Sequence, residues 1–202
     1  MTPTLERAYI ALRAGQCVIV QDALDRENEG DLICHAATCT TASINFMSKF
    51  GRGLICLALP SEHVEQLDLP LQPVRGQAAF HSNFTVSIDA ATDITTGISC
   101  QERAHTIRIA AQSNCPPSAL VTPGHVFPLK AHPDGLAARK GHTEASLALM
   151  TLAQLSSNAV ICEVLDDAGQ SARTPTLQAL SEQHDLPLIT IQDIWIALQT
   201  VS

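Results

Sequence analysis

Seven consecutive residues, Asp25-Arg26-Glu27-Asn28-Glu29-Gly30-Asp31, carry four carboxylates and one arginine between two short apolar runs. Hard divalent cations such as magnesium take carboxylate oxygens as ligands. An arginine beside them can hold an anionic group. Loops between strands are also where α/β folds place their sites. The plainer reading is a solvated acidic turn. A second cluster, Arg139-Lys140-Gly141-His142-Thr143-Glu144, stands directly before a strongly apolar helical stretch. Free N–H groups at a helix start, next to Arg139 and Lys140, favour a phosphate. Gly141 lets backbone approach a ligand closely, Thr143 is a candidate cap, and His142 is a candidate metal ligand. An ordinary helix start with a solvated basic pair is the alternative.

Three further segments carry single groups of interest. Thr122-Pro123-Gly124-His125-Val126-Phe127-Pro128 holds one histidine in a stiff stretch, which suits proton transfer near neutral pH. A structural turn histidine is the alternative. Glu163 lies in Val160-Ile161-Cys162-Glu163-Val164. A carboxylate in an apolar strand must be paired, bind metal or keep its proton, so it is a candidate acid or base. On a solvent face it would need none of these. Thr95-Thr96-Gly97-Ile98-Ser99 offers hydroxyls to a polyol or phosphate, or simply enters a helix.

The elements that must position these groups alternate between helical and extended patterns. Leu5, Ala8, Tyr9 and Leu12 recur at helical spacing and stop at Gly15. Apolar runs at 17–20, 32–34, 54–59, 159–165 and 188–191 read as buried strands. The alternation at 84–88 adds another strand, and 126–129 a short one weakened by Pro128. Thr40 or Thr41 is placed to cap a helix ending near Gly51. Ser99-Cys100-Gln101-Glu102 is a capping box with a helix behind it. Helices are also expected at 143–155, 177–183 and 194–198. Residues 70–83 hold Pro70, Pro73, Gly76 and Asn83 without periodicity and read as a long loop, with 72–83 expected to close over a ligand. Strands separated by helices in irregular order predict an α/β (α+β) fold, one domain over residues 1–202 with a mixed sheet flanked by helices.

Composition narrows the function. Of 202 residues, 46% are hydrophobic and 16% charged, a globular balance. A net charge of −8 disfavours nucleic acid and anionic membranes as partners. No apolar run approaches the roughly 20 residues of a membrane span. Residues 1–13 lack a signal-peptide pattern, so a cytoplasmic protein is expected. The seven cysteines form no C-x-x-C pair and read as reduced, mostly buried side chains.

Taken together and in order, seven stretches resemble the dihydroxybutanone phosphate synthase family along almost the whole chain. They are residues 25–33, Gly53-Leu54-Ile55-Cys56, Phe84-Thr85-Val86-Ser87-Ile88-Asp89, Thr95-Thr96-Gly97-Ile98-Ser99, Pro123-Gly124-His125-Val126-Phe127-Pro128-Leu129, Gly141-His142-Thr143-Glu144 and Ile161-Cys162-Glu163. The resemblance implies a lyase of riboflavin biosynthesis that converts ribulose 5-phosphate into formate and 3,4-dihydroxy-2-butanone 4-phosphate. It implies a fold similar to that of YrdC-like proteins, and a homodimer with its sites at or near the subunit interface. It implies two divalent metals, magnesium or manganese, on Glu27 and His142. Substrate would meet Arg26, Glu27, Asp31, Cys56, Thr96, Arg139, Lys140, Gly141, His142, Thr143 and Glu163, with Arg139 and the Gly141–Thr143 turn near the phosphate. His125 and Glu163 would handle protons. The family chemistry needs a base, an acid and a charge-stabilising metal, and these residues supply such groups.

The chain departs from the family pattern at Ala37, where an acidic residue is common, at Thr122 for arginine and at Glu102 for aspartate; 72–83 is also unusual. Since the chain stops at Ser202, the form without a GTP cyclohydrolase II domain is expected. Three rival functions are a weakened regulatory relative, a YrdC-like RNA or adenylate binder, and a metal-dependent sugar-phosphate isomerase. Intact Arg26, Glu27, His125, His142 and Glu163 oppose the first, the acidic balance opposes the second, and formate release separates the third.

Overall fold

The computed structural model describes residues 2–76 and 82–201. Residues 77–81, part of the expected closing loop, lie outside the described residues. The helices are α1 (Pro3–Arg13), α2 (Thr41–Phe46), α3 (Ser61–Gln66), α4 (Cys100–Ala110), α5 (Gly135–Ala138), α6 (His142–Leu152), α7 (Thr174–His184) and α8 (Ile191–Val201). The strands are β1 (Val18–Gln21), β2 (Gly30–His35), β3 (Cys56–Leu59), β4 (Ile88–Ala90), β5 (Leu120–Lys130), β6 (Ala159–Glu163) and β7 (Leu188–Thr190). They form one seven-stranded mixed sheet in the order β4-β5-β3-β6-β2-β1-β7. β1 with β7 and β3 with β5 run parallel, and the remaining neighbours run antiparallel.

The sheet is covered on both faces, which explains why its central strands are apolar without alternation. Ile19, Leu32, Cys34, Leu57, Val160 and Cys162 point into one core with Ile44 of α2, Ile107 of α4 and Leu177 of α7. Val18, Val20, Ile33, Ala58, Ala159 and Ile161 point into the other, with Leu12 of α1, Leu149 of α6 and Ile194 of α8. All seven cysteines are free, and six are buried. No helix among the described residues is long and apolar enough to cross a membrane.

Several elements differ from the sequence expectation. Only Ile88–Ala90 of the 84–90 region is a strand; Phe84 and Thr85 make isolated bridges to Leu129 and Leu71. β5 has 11 residues in spite of Pro123 and Pro128. Phe127 and Ala131 donate to the carbonyls of Ile55 and Leu59, so the odd-numbered amides face β3 and Pro128 turns its missing N–H away from that ladder. α6 starts at His142, with Gly141 as its cap residue and Thr143 inside the helix, so Thr143 is not the cap. α3 and α5, of six and four residues, are too short to leave a periodic signal.

Candidate active site

Three antiparallel strands, β1, β2 and β6, bring the acidic loop, Asp31 and Glu163 to one end of the sheet. Asp31 is the second residue of β2 and not the end of the loop, and it lies directly across from Glu163, the last residue of β6. The start of α6 packs against the same end. A cavity of about 240 Å³ there is lined by Arg26, Glu27, Glu29, Asp31, Cys56, Arg139, His142, Thr143 and Glu163, with apolar walls from Leu54, Phe84 and Ile161. A larger cleft of about 470 Å³ between α1, α2 and the turn after α7 collects no such convergence of carboxylates and cations.

The loop between β1 and β2 is built around Asp22, a residue with no distinguishing signal in the sequence. Asp22 is 4% exposed. Its Oδ2 accepts from Arg26 Nη1 at 2.7 Å and from the Glu27 amide at 3.2 Å, and its Oδ1 accepts from the Glu29 amide at 2.8 Å. Arg26 also pairs with the Glu27 carboxylate. From outside, Arg173 donates to the carbonyls of Glu27 and Asn28. Asn28 holds a left-handed φ of 54°, a conformation asparagine tolerates better than most residues.

Asp22, Glu27 and His142 each offer a ligand atom, all within 4.8 Å of one another. His142 Nε2 lies 3.1 Å from the Val20 carbonyl. A carbonyl only accepts, so this contact fixes the proton on Nε2 and leaves the Nδ1 lone pair free. Nδ1 lies 4.0 Å from Asp31 Oδ1, on the side of the carboxylates. Metal-bound histidines are oriented in this way, with the distal N–H given to a carbonyl. The donor set of hard oxygens and one imidazole therefore fits a divalent ion such as magnesium or manganese.

Crowded carboxylates titrate abnormally. Burial, then Glu163 and Glu27, push Glu29 up to about 7. Burial pushes Asp31 up to about 6 against the pull of His142. Burial also pushes the Cys56 thiol well up, which keeps it a neutral wall group. The Ser171 hydroxyl donates to Glu163 Oε1. The strand β6 is buried on both faces as expected, and Glu163 at its end is half-buried and hydrogen-bonded.

Other expected residues lie apart. Lys140 sits over the Trp195 ring, 5.6 Å from its centre, and lines a neighbouring cleft with Gln21, Asp25 and Thr190. His125 stands on β5, outside the cavity. Its Nδ1 lies 2.7 Å from Asp89 Oδ2, and its amide donates to Asp89 Oδ1 at 3.0 Å. Thr96 is exposed on the adjoining loop. Glu102 ties that loop down, accepting from the amides of Thr95 and Gly97 and the hydroxyls of Thr95 and Ser99. These bonds hold its carboxyl down at about 2. Gly97 has φ of 86°. A Cβ there would stand 2.2 Å from Asp89 Oδ2, so the glycine keeps the histidine's partner in place.

Residues 6–197 match the family model of 3,4-dihydroxy-2-butanone 4-phosphate synthase. The chain belongs to this family. It is 46% identical over 190 residues to the 3,4-dihydroxy-2-butanone 4-phosphate synthase of Proteus mirabilis, covering 94% of this chain and 88% of that protein. The Pectobacterium carotovorum enzyme is 45% identical over 190 residues, with the same coverage of 94% and 88%. A solved 3,4-dihydroxy-2-butanone 4-phosphate synthase in complex with two magnesium ions superimposes with a TM-score of 0.90 at 36% identity, covering 97% of this chain and 96% of that one. The two-domain RibBX of A. baumannii matches at TM-score 0.88 and 44% identity, and this chain spans 56% of it. The fold is that of the family, and the activity is that of a 3,4-dihydroxy-2-butanone 4-phosphate synthase, a lyase of riboflavin biosynthesis.

Proposed function

We propose that this synthase takes ribulose 5-phosphate as substrate and releases formate and 3,4-dihydroxy-2-butanone 4-phosphate at the cavity between β2, β6 and α6. The observation that carries the reading is the meeting of Asp22, Glu27 and His142 with Arg26, Asp31, Arg139 and Glu163 at one end of the sheet, in a chain that matches the family over residues 6–197. Glu27 and His142, with Asp22 beside them, would hold two magnesium or manganese ions, which would supply stabilisation of developing negative charge. Arg139 and the uncapped start of α6, with Gly141 and Thr143, hold the phosphate. Arg26 and Asp31 orient the polyol, and Cys56 shapes the wall. Glu163 exchanges protons with the substrate, steadied by the Ser171 hydroxyl.

His125 and Thr96 do not line the cavity of their own protomer. The reading that accommodates them is a homodimer in which one protomer's β4–β5 edge completes its partner's site. Asp89 would then hold the His125 ring for proton transfer. Lys140 contributes long-range attraction for the phosphate from the neighbouring cleft. The enzyme works as one domain in the cytoplasm, on a small molecule and not on nucleic acid or a membrane.

The deciding experiment incubates purified protein with ribulose 5-phosphate and magnesium and follows formate. Formate should appear, vanish after exhaustive chelation, and return with magnesium or manganese. Sugar isomerisation without formate would move the protein to the isomerase reading, and full turnover after chelation would remove the metal.

A further inference from the structure

The phosphate subsite depends on an arginine that does not fix its own position. Arg139 follows α5 in extended conformation, with φ −137° and ψ 112°. Its side chain turns back over the start of α6. Nη1 donates to Glu144 Oε2 at 2.6 Å, and Nη2 donates to Ser82 Oγ at 3.2 Å. The other Glu144 oxygen, Oε1, accepts from the His132 amide at 3.0 Å. The Glu144 side chain is 2% exposed, against 25% for Arg139. The carboxylate is therefore anchored on the buried side, and the guanidinium reaches the cavity.

Gly141 belongs to the same arrangement. A Cβ at this position would stand 2.2 Å from Arg139 Nη1, 2.8 Å from its Cζ and 3.1 Å from Glu144 Oε2. The glycine leaves the path along which the guanidinium crosses the helix start. Glu144, Arg139 and Gly141 thus form one mechanical unit, with the His132 amide as its fixed end.

We propose that Glu144 is the positioning residue of the phosphate subsite, holding the Arg139 guanidinium at the start of α6 so that its remaining N–H groups face the bound anion. The proposal rests on the reading of Arg139 as a phosphate ligand. Two effects of Glu144 oppose each other. Its charge partly cancels the attraction of Arg139 for an anion. Its geometry removes the rotamer freedom that a long side chain would otherwise lose on binding. If charge cancellation dominated, removing the carboxylate would tighten phosphate binding. With two anchored oxygens on one buried carboxylate, geometry dominates, and displacing it weakens binding.

Glu144→Asp separates the two effects, because it keeps the charge but is one methylene short of reaching both partners. Steady-state kinetics with ribulose 5-phosphate at saturating magnesium should show KM raised about tenfold or more in Glu144→Asp and in Glu144→Gln, with a smaller loss in kcat. Inhibition by inorganic phosphate should weaken in parallel. In an Arg139→Ala background neither substitution should raise KM further, since the group to be positioned is gone. Gly141→Ala reaches the same guanidinium from the helix side and should give the same rise in KM with Glu144 intact. It also keeps the test open if the Glu144 variants fold poorly. Wild-type KM in folded Glu144→Asp would overturn the proposal, as would effects that add fully to Arg139→Ala. An unchanged KM in Arg139→Ala itself would identify the phosphate-ligand reading as the part that failed.

Discussion

Asp22→Asn is the most informative single change in the metal cluster. The side chain keeps its shape, so the sheet has no reason to move. The native carboxylate accepts three hydrogen bonds, from Arg26 and from the amides of Glu27 and Glu29. Asparagine has one accepting oxygen, so either the Arg26 and Glu27 side or the Glu29 side must face an NH2 group. The change loses one neutral hydrogen bond, worth about 1 kcal/mol, and the charge assistance to Arg26, together about 2–4 kcal/mol. All three partners lie in the loop and none in β1 or β2. The loss should therefore appear as disorder of the loop that carries Glu27, and hardly as global unfolding. Spread over the metal equilibrium, it corresponds to about 30- to 1,000-fold weaker magnesium binding. Calorimetric titration measures this, and a thermal melt of the metal-free protein should fall by no more than about 4 °C. Wild-type magnesium affinity in Asp22→Asn would refute the assignment of Asp22 to the cluster. A large drop in melting temperature with unchanged affinity would make it a structural residue only.

Three other outcomes are expected. Glu163→Gln should fold and bind ribulose 5-phosphate with metal yet lose about 10²–10⁴-fold in formate production; wild-type turnover would end its role in proton exchange. Mixing inactive His125→Ala with inactive Glu163→Gln under conditions of subunit exchange should restore activity through mixed dimers, and no recovery despite proven exchange would place His125 outside a shared site. Glu29 and Asp31 are pushed up to about 7 and about 6, so the folded state keeps protons that the unfolded chain releases. Their stabilising contribution is fully present below the ordinary carboxylate range and is lost as pH rises to these values, so the metal-free melting temperature should fall between about pH 4 and pH 7. Glu29→Gln should flatten that slope, and an unchanged slope would remove Glu29 as a cause.

Much of the site was legible because its groups are crowded in sequence. The run Asp25–Asp31 and the Arg139–Thr143 segment concentrate charge beside apolar strands, and the cavity gathers Arg26, Glu27, Asp31, Arg139, His142 and Glu163. Asp22 was not legible, because one acid after Val-Ile-Val-Gln looks like any strand end, and only its three accepted hydrogen bonds distinguish it. Glu144 hid for a similar reason, since an acid in a first helical turn has an ordinary explanation in the helix dipole. The buried strands were plain from their apolar runs. β5 was underestimated because proline forbids a central strand only where its N–H is needed, and the direction in which an amide points is a tertiary fact. The position of His125 relative to Glu163 could not be read from linear order at all.

The contact between His142 and the Val20 carbonyl has a wider consequence. The proton on the imidazole is assigned by a peptide group, and the genetic code has no substitution that deletes a carbonyl. Val20 can drift among residues that suit its core layer, and the message to His142 stays the same. Random mutagenesis of residues 18–21 should therefore yield many tolerant variants at position 20. This part of the site is inherited through the path of the main chain.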